Sequence, residues 1–467
     1  MKKYLMSFEE ESPKYIQISR NIKKLIDLND IEDGEKLPSI RSLSALLSVN
    51  SVTIVNAYKK LENEGYALQK IGSGSYAKRK ELGRNFKKEY SDTFKNLSSN
   101  MLKEYIDFTG ETTCSDLFPV ETFKNVLNEV LDRDGADALV YQEALGYEGL
   151  RGSINNSFWN GKLDMDSILI VSGAQQGIDI ASKAMLNVND NVIVEKPTYG
   201  GALSVFRGRR ANIFEINMQN DGIDLAAFEK LLKKNKVKCF YTMSYFQNPT
   251  GATYSLEKKM KILNLAEEYD FYIIEDDYLS ELIYNPEIEY NTFKSLDCND
   301  RVIYIKSFSK IFLPGIRLGY VISPDRFKEH ILNSKYNTDI ATSSLMQRAL
   351  ALYINNGLWR NHINNLNVNY KARYEFMKEY LEEKLRDKVS FHCPGGGLNF
   401  YLKIVPEINV DSIKLFYECK KKRVLITPGV LFYKNSKEGE RYFRLGFSQV
   451  NNNQIKLGID ILSEIIK

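Results

Sequence analysis

Six short apolar runs rich in β-formers lie in the middle of this chain: Ile168–Val171, Asn191–Glu195, Cys239–Met243, Phe271–Glu275, Val302–Ile305 and Leu318–Ile322. Helical stretches such as Gln175–Leu186, Leu225–Leu232 and Leu256–Glu268 separate most of them. Continuous apolar runs suit strands covered on both faces, and strands that alternate with helices pair in parallel. This order predicts an α/β fold built on a mainly parallel sheet. Ligands of such sheets sit beyond the carboxyl ends of the strands, so the residues just after each run are the informative ones.

After the first run comes Ser172-Gly173-Ala174-Gln175-Gln176-Gly177, a glycine turn that opens a helix. Its backbone N–H groups suit a phosphate, although such a turn alone is equally a structural device. After Phe271–Ile274 come Glu275-Asp276-Asp277-Tyr278, and a carboxylate buried there needs a cationic partner. A metal is one such partner, but no histidine lies nearby, and His330, His362 and His392 are far apart in sequence. After Val302–Ile305 comes Lys306-Ser307-Phe308-Ser309-Lys310, and Arg317 follows Lys310 by seven residues. An amine flanked by hydroxyls and followed by a guanidinium suits an aldehyde-bearing phosphate cofactor. The amine forms the Schiff base, and the hydroxyls and arginine hold the phosphate. The buried carboxylate then pairs with a protonated pyridine nitrogen, which is pyridoxal 5'-phosphate chemistry. Taken singly, Lys310 reads as a surface lysine; the ordered set of strand ends gives it meaning.

The 467 residues are too many for one domain, and charge divides them. Residues 1–80 hold 14 Lys and Arg against 10 Asp and Glu, whereas the rest hold 50 of each. An excess of positive charge at one end suits a polyanion, though a solvated surface carries as much. Pattern separates the two. From Pro13, Tyr15, Ile18, Ile22, Leu25 and Ile26 recur at helical spacing. Pro38 and Ser39 then open a short helix with Ile40, Leu43, Leu46 and Leu47 on one face. A break at Ser48–Asn50 precedes a third helix over Ser51–Glu64, with Val52, Val55, Tyr58 and Leu61 expected inside and Gly65 as its stop. Two short helices joined by a tight break form a helix-turn-helix. Tyr66–Tyr76 reads as a β-hairpin wing around Ile71-Gly72-Ser73-Gly74. A helical cap with no DNA role fits the same periodicity.

The segment LPSIRSLSALLSVNSVTIVNAYKKLENEGY with its IGSGSY wing, over roughly residues 13–78, resembles the winged helix of the GntR family of bacterial transcription regulators. The resemblance implies that Arg41 contacts phosphate, that Ser51 and Thr53 enter the major groove, and that Gly72, Ser73 and Gly74 place the wing in the neighbouring groove. Many relatives carry arginine where this chain has Ser51 and Val55. Base reading would then rest on Asn50, Ser51, Thr53 and Asn56, with Lys59 and Lys60 near the backbone or merely solvated. Asparagine favours adenine, so an A·T-rich site is expected.

Residues 79–104 are charged and weakly periodic, and read as a partly helical tether between a head at 1–78 and a body at 105–467. That body resembles the fold-type I aminotransferases through Asn248-Pro249-Thr250-Gly251, the EDDY run, SFSK with Arg317, and Phe443-Arg444-Leu445. Such a body comprises a large, mainly parallel sheet domain and a small C-terminal α+β domain. With the fused head, the chain resembles a MocR-type regulator.

The resemblance implies that Lys310 carries pyridoxal phosphate as a Schiff base. Asp276 pairs with the ring nitrogen, with Asp277 as the alternative, and Tyr278 and Asn248 bond the ring hydroxyl. Tyr199 stacks on the ring. Ala174 (through its backbone), Gln175, Ser307, Ser309 and Arg317 hold the phosphate, and Tyr141 reaches it from a second subunit. Arg444 clamps an effector carboxylate. Ala174 stands where aminotransferases often have serine. Gly201 stands where some MocR-type proteins place a second arginine, which puts a second effector carboxylate in doubt.

No stretch is apolar over the ~18 residues that a membrane span needs. The opening turns acidic before a secretory segment forms, and Cys114, Cys239, Cys298, Cys393 and Cys419 include no CxxC pair. A cytoplasmic, dimeric DNA-binding regulator that senses an amino compound, or pyridoxal phosphate itself, is expected. A plain aminotransferase is the alternative, but it has no need of residues 13–78.

Overall fold

The structure, a computed structural model, describes residues 2–9, 12–27, 30–32, 34–70, 73–78, 82–96, 104–141, 143–339 and 341–467. The chain divides into two compact units, Met1–Ser99 with Asn435–Glu438, and Asn100–Lys434 with Gly439–Lys467.

In the first unit, helices α1 (Lys14–Asp27), α2 (Ile40–Leu47) and α3 (Ser51–Asn63) precede an antiparallel hairpin of β1 (Ala67–Lys70) and β2 (Gly74–Ala77). The Ser39 side chain caps α2 by accepting from the Ser42 N–H. Ser48, left-handed at φ 51°, ends the helix and turns the chain toward α3 within three residues. Ile18, Ile22 and Ile26 of α1 meet Leu43, Leu47, Ile54, Ala57, Tyr58 and Leu61 in one core. The expected inward face of α3 is therefore corrected. Ile54, Ala57, Tyr58 and Leu61 form the i, i+3, i+4, i+7 stripe, while Val55 is half-buried and Val52 is 61% exposed. Stripes one position apart fit this valine-rich start almost equally well, and packing against α1 selects between them. Helix α4 (Leu82–Asn96) falls inside the stretch read as a partly helical tether.

The second unit opens with β3 (Ile106–Asp107). Its main sheet has eight strands: β4 (Ile168–Val171), β5 (Asn191–Lys196), β6 (Asn212–Gln219), β7 (Gly222–Ile223), β8 (Cys239–Thr242), β9 (Tyr272–Asp277), β10 (Val302–Ser307) and β11 (Gly319–Ile322). Their spatial order is β4-β11-β10-β9-β8-β5-β6-β7. The strands from β10 through β6 run parallel, and β11 is antiparallel to both its neighbours. Strand β6 escapes the search for continuous apolar runs because only Ile213 and Ile216 of NIFEINMQ are buried and polar residues interrupt the rest.

The second sheet contains β12 (Val389–Phe391), β13 (Asn399–Ile404), β15 (Thr427–Pro428) and β16 (Tyr442–Gly446), while β14 (Val424–Leu425) pairs with β3. The helix Ala174–Met185 lies close on the main sheet: a Cβ at Gly177 would stand 2.8 Å from the Ile305 side chain on β10. Among the described residues no helix is long and apolar enough to cross a membrane.

Candidate functional site

At the carboxyl ends of β4, β9 and β10 lies a cavity of about 270 Å³. Ala174, Gln175, Tyr199, Asn248, Asp276, Tyr278, Ser307, Ser309, Lys310 and Arg317 line it, together with Met243 and Glu111, which no sequence motif marks.

Alternation along β9 separates the two aspartates. Asp277 accepts from Lys306 Nζ at 3.0 Å, Tyr304 Oη at 2.6 Å and Ser280 Oγ at 2.7 Å, which completes a buried ion pair away from the cavity. Asp276 faces the cavity. Its Oδ2 accepts from Tyr241 Oη at 2.6 Å, while Oδ1 is buried without a hydrogen-bond partner. Burial pushes the Asp276 carboxyl up to about 6, and the neighbouring Asp277 adds to the rise. A buried, unpartnered acceptor is costly, and a protonated ring nitrogen would satisfy it.

Lys310 follows β10. Burial lowers its ammonium to about 8, with Arg317 adding and Asp276 opposing; the Glu111 carboxylate 2.8 Å from Nζ also holds the charged form. Around Arg317 the cavity is built for an anion. The N-terminus of the helix Ala174–Met185 opens there, Arg317 Nη2 donates to the Ser172 carbonyl at 2.8 Å, and Ser309 Oγ is buried without a partner. These groups fit pyridoxal phosphate: an orphaned acid for its ring, a hydroxyl and guanidinium for its phosphate, and an amine for its aldehyde.

Tyr199 and Gln175 border Gly201, and their packing explains that glycine. A Cβ at position 201 would lie 2.4 Å from both Gln175 Oε1 and the Tyr199 ring, so any larger residue there requires both side chains to move. Tyr278 Oη donates to the Phe246 carbonyl at 2.7 Å. Gln247 ties the Asn248 loop to buried Glu195, donating at 2.9 Å.

Tyr141, expected at a second subunit's phosphate, is 80% exposed and does not line this chain's own cavity. One expected residue stands elsewhere. Arg444, on β16, is buried behind the cavity wall. Its Nη1 donates to Asn248 Oδ1 at 2.8 Å and to Glu111, and its Nη2 donates to the Thr109 carbonyl at 3.1 Å. Glu111 also accepts from Lys310 Nζ at 2.8 Å and from Asn248 Nδ2 at 3.1 Å. No spacing rule could find Glu111, because its partners lie 137 to 333 positions away in the chain.

On the first unit, Arg41, Asn50, Ser51, Asn56 and Lys59 are exposed, and Thr53 is half-buried. Asn50 caps α3, its Oδ1 accepting from the Val52 N–H at 2.9 Å. The cap holds the Asn50 side chain at the start of α3, where Oδ1 keeps its second lone pair and Nδ2 its donors for a base. Asn56 has no such commitment to a helix cap. Val52, exposed between Ser51 and Thr53, adds an apolar surface of the kind that meets a thymine methyl. Lys60 pairs with Glu64 at 2.9 Å. In the wing, Ser73 Oγ lies 2.6 Å from Tyr76 Oη and Gly74 is exposed; Gly72 lies outside the described residues.

The family "Aminotransferase class I and II" matches residues 114–462, and "Bacterial regulatory proteins, gntR family" matches residues 14–76. An aromatic-amino-acid aminotransferase 1 of Thermococcus litoralis is 31% identical over 372 residues, covering 78% of this chain and 88% of its own length. YdfD of Bacillus subtilis, described as an uncharacterized HTH-type transcriptional regulator, is 29% identical across 99% of both chains. The crystal structure of the alpha-aminoadipate aminotransferase LysN of Thermus thermophilus, complexed with N-(5'-phosphopyridoxyl)-L-leucine, superposes with a TM-score of 0.74 at 26% identity. It covers 80% of this chain and 94% of that one. The family binds pyridoxal phosphate, and the gntR domain is a DNA-binding module. With a gntR winged helix fused ahead of the cavity-bearing body, the arrangement of MocR-type regulators, this chain belongs to the class I and II aminotransferase family.

Proposed function

We propose that this protein is a DNA-binding transcription regulator whose aminotransferase-like body binds pyridoxal phosphate at Lys310 and senses an amino compound. The observation that carries the reading is one chain holding both a winged helix with an exposed polar face and a cavity in which Asp276 Oδ1 and Ser309 Oγ are buried without partners. The division is taken as 1–78 for the head, 79–104 for the tether and 105–467 for the sensor.

Bound pyridoxal phosphate supplies an aldehyde for amines and a ring that withdraws electrons from them. Asp276 holds the ring nitrogen in its protonated form, and Tyr278 and Asn248 stand at the ring hydroxyl. Tyr199 covers a ring face. Arg317, Ser307, Ser309 and Gln175 hold the phosphate with the backbone of Ala174 at the helix start. Lys310, lowered to about 8, keeps a usable share of neutral amine near pH 7. An effector changes DNA binding only as far as it binds the two conformations of the body with different affinity.

The sensor acts as a homodimer in the cytoplasm, with Tyr141 completing the partner's phosphate site and two-fold symmetry setting half-site spacing. The alternative reading, amino-group transfer as the main activity, is favoured by the full set of cavity residues. Gel shifts separate the two. Arg41→Ala should abolish specific DNA binding, and Lys310→Ala should remove the ligand response while leaving basal DNA binding. Unaltered DNA binding in Arg41→Ala and an unaltered ligand response in Lys310→Ala, with rapid amino-group transfer by the wild type, would refute the regulator.

A further inference from the structure

We propose that Glu111 is a specificity-determining residue, a built-in carboxylate seated on Arg444 that selects amines lacking an α-carboxylate over α-amino acids. The inference rests on the cofactor reading of the cavity. The resemblance gives Arg444 the part of taking a ligand carboxylate, yet its side chain is 3% exposed and does not line the cavity, whereas Glu111, which pairs with it, does. The Glu111 carboxylate accepts from Arg444, from Asn248 Nδ2 at 3.1 Å and from Lys310 Nζ at 2.8 Å. Asn248 Oδ1 accepts from the same Arg444 nitrogen at 2.8 Å, which closes a ring of three polar side chains.

An incoming α-carboxylate meets that ring as a competitor. Glu111 is tethered to the chain and loses no translational freedom by binding, so a free carboxylate starts at a disadvantage. Displacing it would also leave a second carboxylate beside the ligand's own, in a wall where the available guanidinium has just been taken. An amine without a carboxylate disturbs nothing. Glu111 remains on Arg444, and once the cofactor occupies Lys310, Oε2 faces the cavity as an acceptor for the incoming ammonium.

The test uses pentylamine and 2-aminohexanoate, which differ only by the carboxylate. Both are titrated by absorbance into the full-length protein loaded with pyridoxal phosphate. The wild type should prefer pentylamine by about tenfold or more, and Glu111→Gln should reduce that preference about tenfold. A wild type that prefers 2-aminohexanoate, or a preference unchanged in Glu111→Gln, overturns the proposal.

A second arm needs no cofactor. By calorimetry on the unloaded protein, Glu111→Ala should bind hexanoate about tenfold more tightly than the wild type, because the Arg444 seat is vacated. Equal affinities overturn the proposal. If thermal melting shows that Glu111→Ala does not fold, Glu111→Gln, whose neutral amide competes less well than a carboxylate for Arg444, replaces it in this arm with the same direction expected. If neither wild type nor variant gains absorbance with pyridoxal phosphate, the cofactor reading fails by itself and the hexanoate arm decides the role of Glu111.

Discussion

The winged helix and the Lys310 cavity carry function in opposite ways. The head keeps its apolar residues in one small core and presents Arg41, Ser51, Val52, Asn56 and Lys59 to solvent. Their energy is realised only against a partner, through phosphate contacts that weaken with salt and base contacts that do not. The cavity instead buries its acid, Asp276, and half-buries its amine, Lys310, while Arg317 stays open to solvent. Asp276 is raised to about 6 and Lys310 lowered to about 8 before any ligand arrives, both chiefly by loss of water. A surface site is thus read from the face it shows, and a buried site from the groups it leaves unsatisfied. Substitutions should separate the two cleanly.

The largest effect belongs to Lys310→Ala. Uptake of pyridoxal phosphate monitored by absorbance should show a band that borohydride removes in the wild type and no such band in the variant, while DNA binding without ligand is retained. Next comes pH. Capture of the aldehyde requires the neutral amine, and burial lowers Lys310 while the Glu111 carboxylate beside it opposes that, so the uptake rate should rise with pH and level off below the ordinary lysine range. A lysine in the ordinary range would keep rising past pH 10. Asp276→Asn removes the charged acceptor and should weaken cofactor binding ~10- to 100-fold in an equilibrium titration.

Effects on the head are smaller and leave the absorbance untouched. Asn56→Ala should lose ~1–3 kcal/mol of discrimination at one base position, measured by competition gel shift. Lys59→Ala, a single phosphate contact, should weaken binding to all sequences alike and reduce the salt slope by about one. An Asn56 variant that altered the cofactor spectrum, or a Lys310 variant that lost basal DNA binding, would break the separation.

Much of this was legible in the sequence, and the exceptions share a cause. Strands β4, β5, β8, β9, β10 and β11 declare themselves because both faces are covered and their runs are continuously apolar. Strand β6, half-solvated, does not. The cavity lysine and its phosphate ligands follow strand ends in order and are visible as local motifs. Whether Asp276 or Asp277 faces the cavity depends on strand register, which a run of adjacent acids cannot reveal. Glu111 is invisible for a stronger reason: its segment has no periodicity, and all its partners come from distant parts of the chain. On α3, packing against α1 chose Ile54 over Val52 for the core and so moved a valine onto the exposed face.

Coupling between these two sites is what would make this chain a regulator. Fluorescence anisotropy of a labelled operator duplex, with and without pyridoxal phosphate and an amine, measures it for wild type and Lys310→Ala. Ligand should shift the DNA affinity of the wild type and leave that of Lys310→Ala unchanged. Equal affinity under all conditions in the wild type would mean that the cavity and the winged helix share a chain without sharing a function.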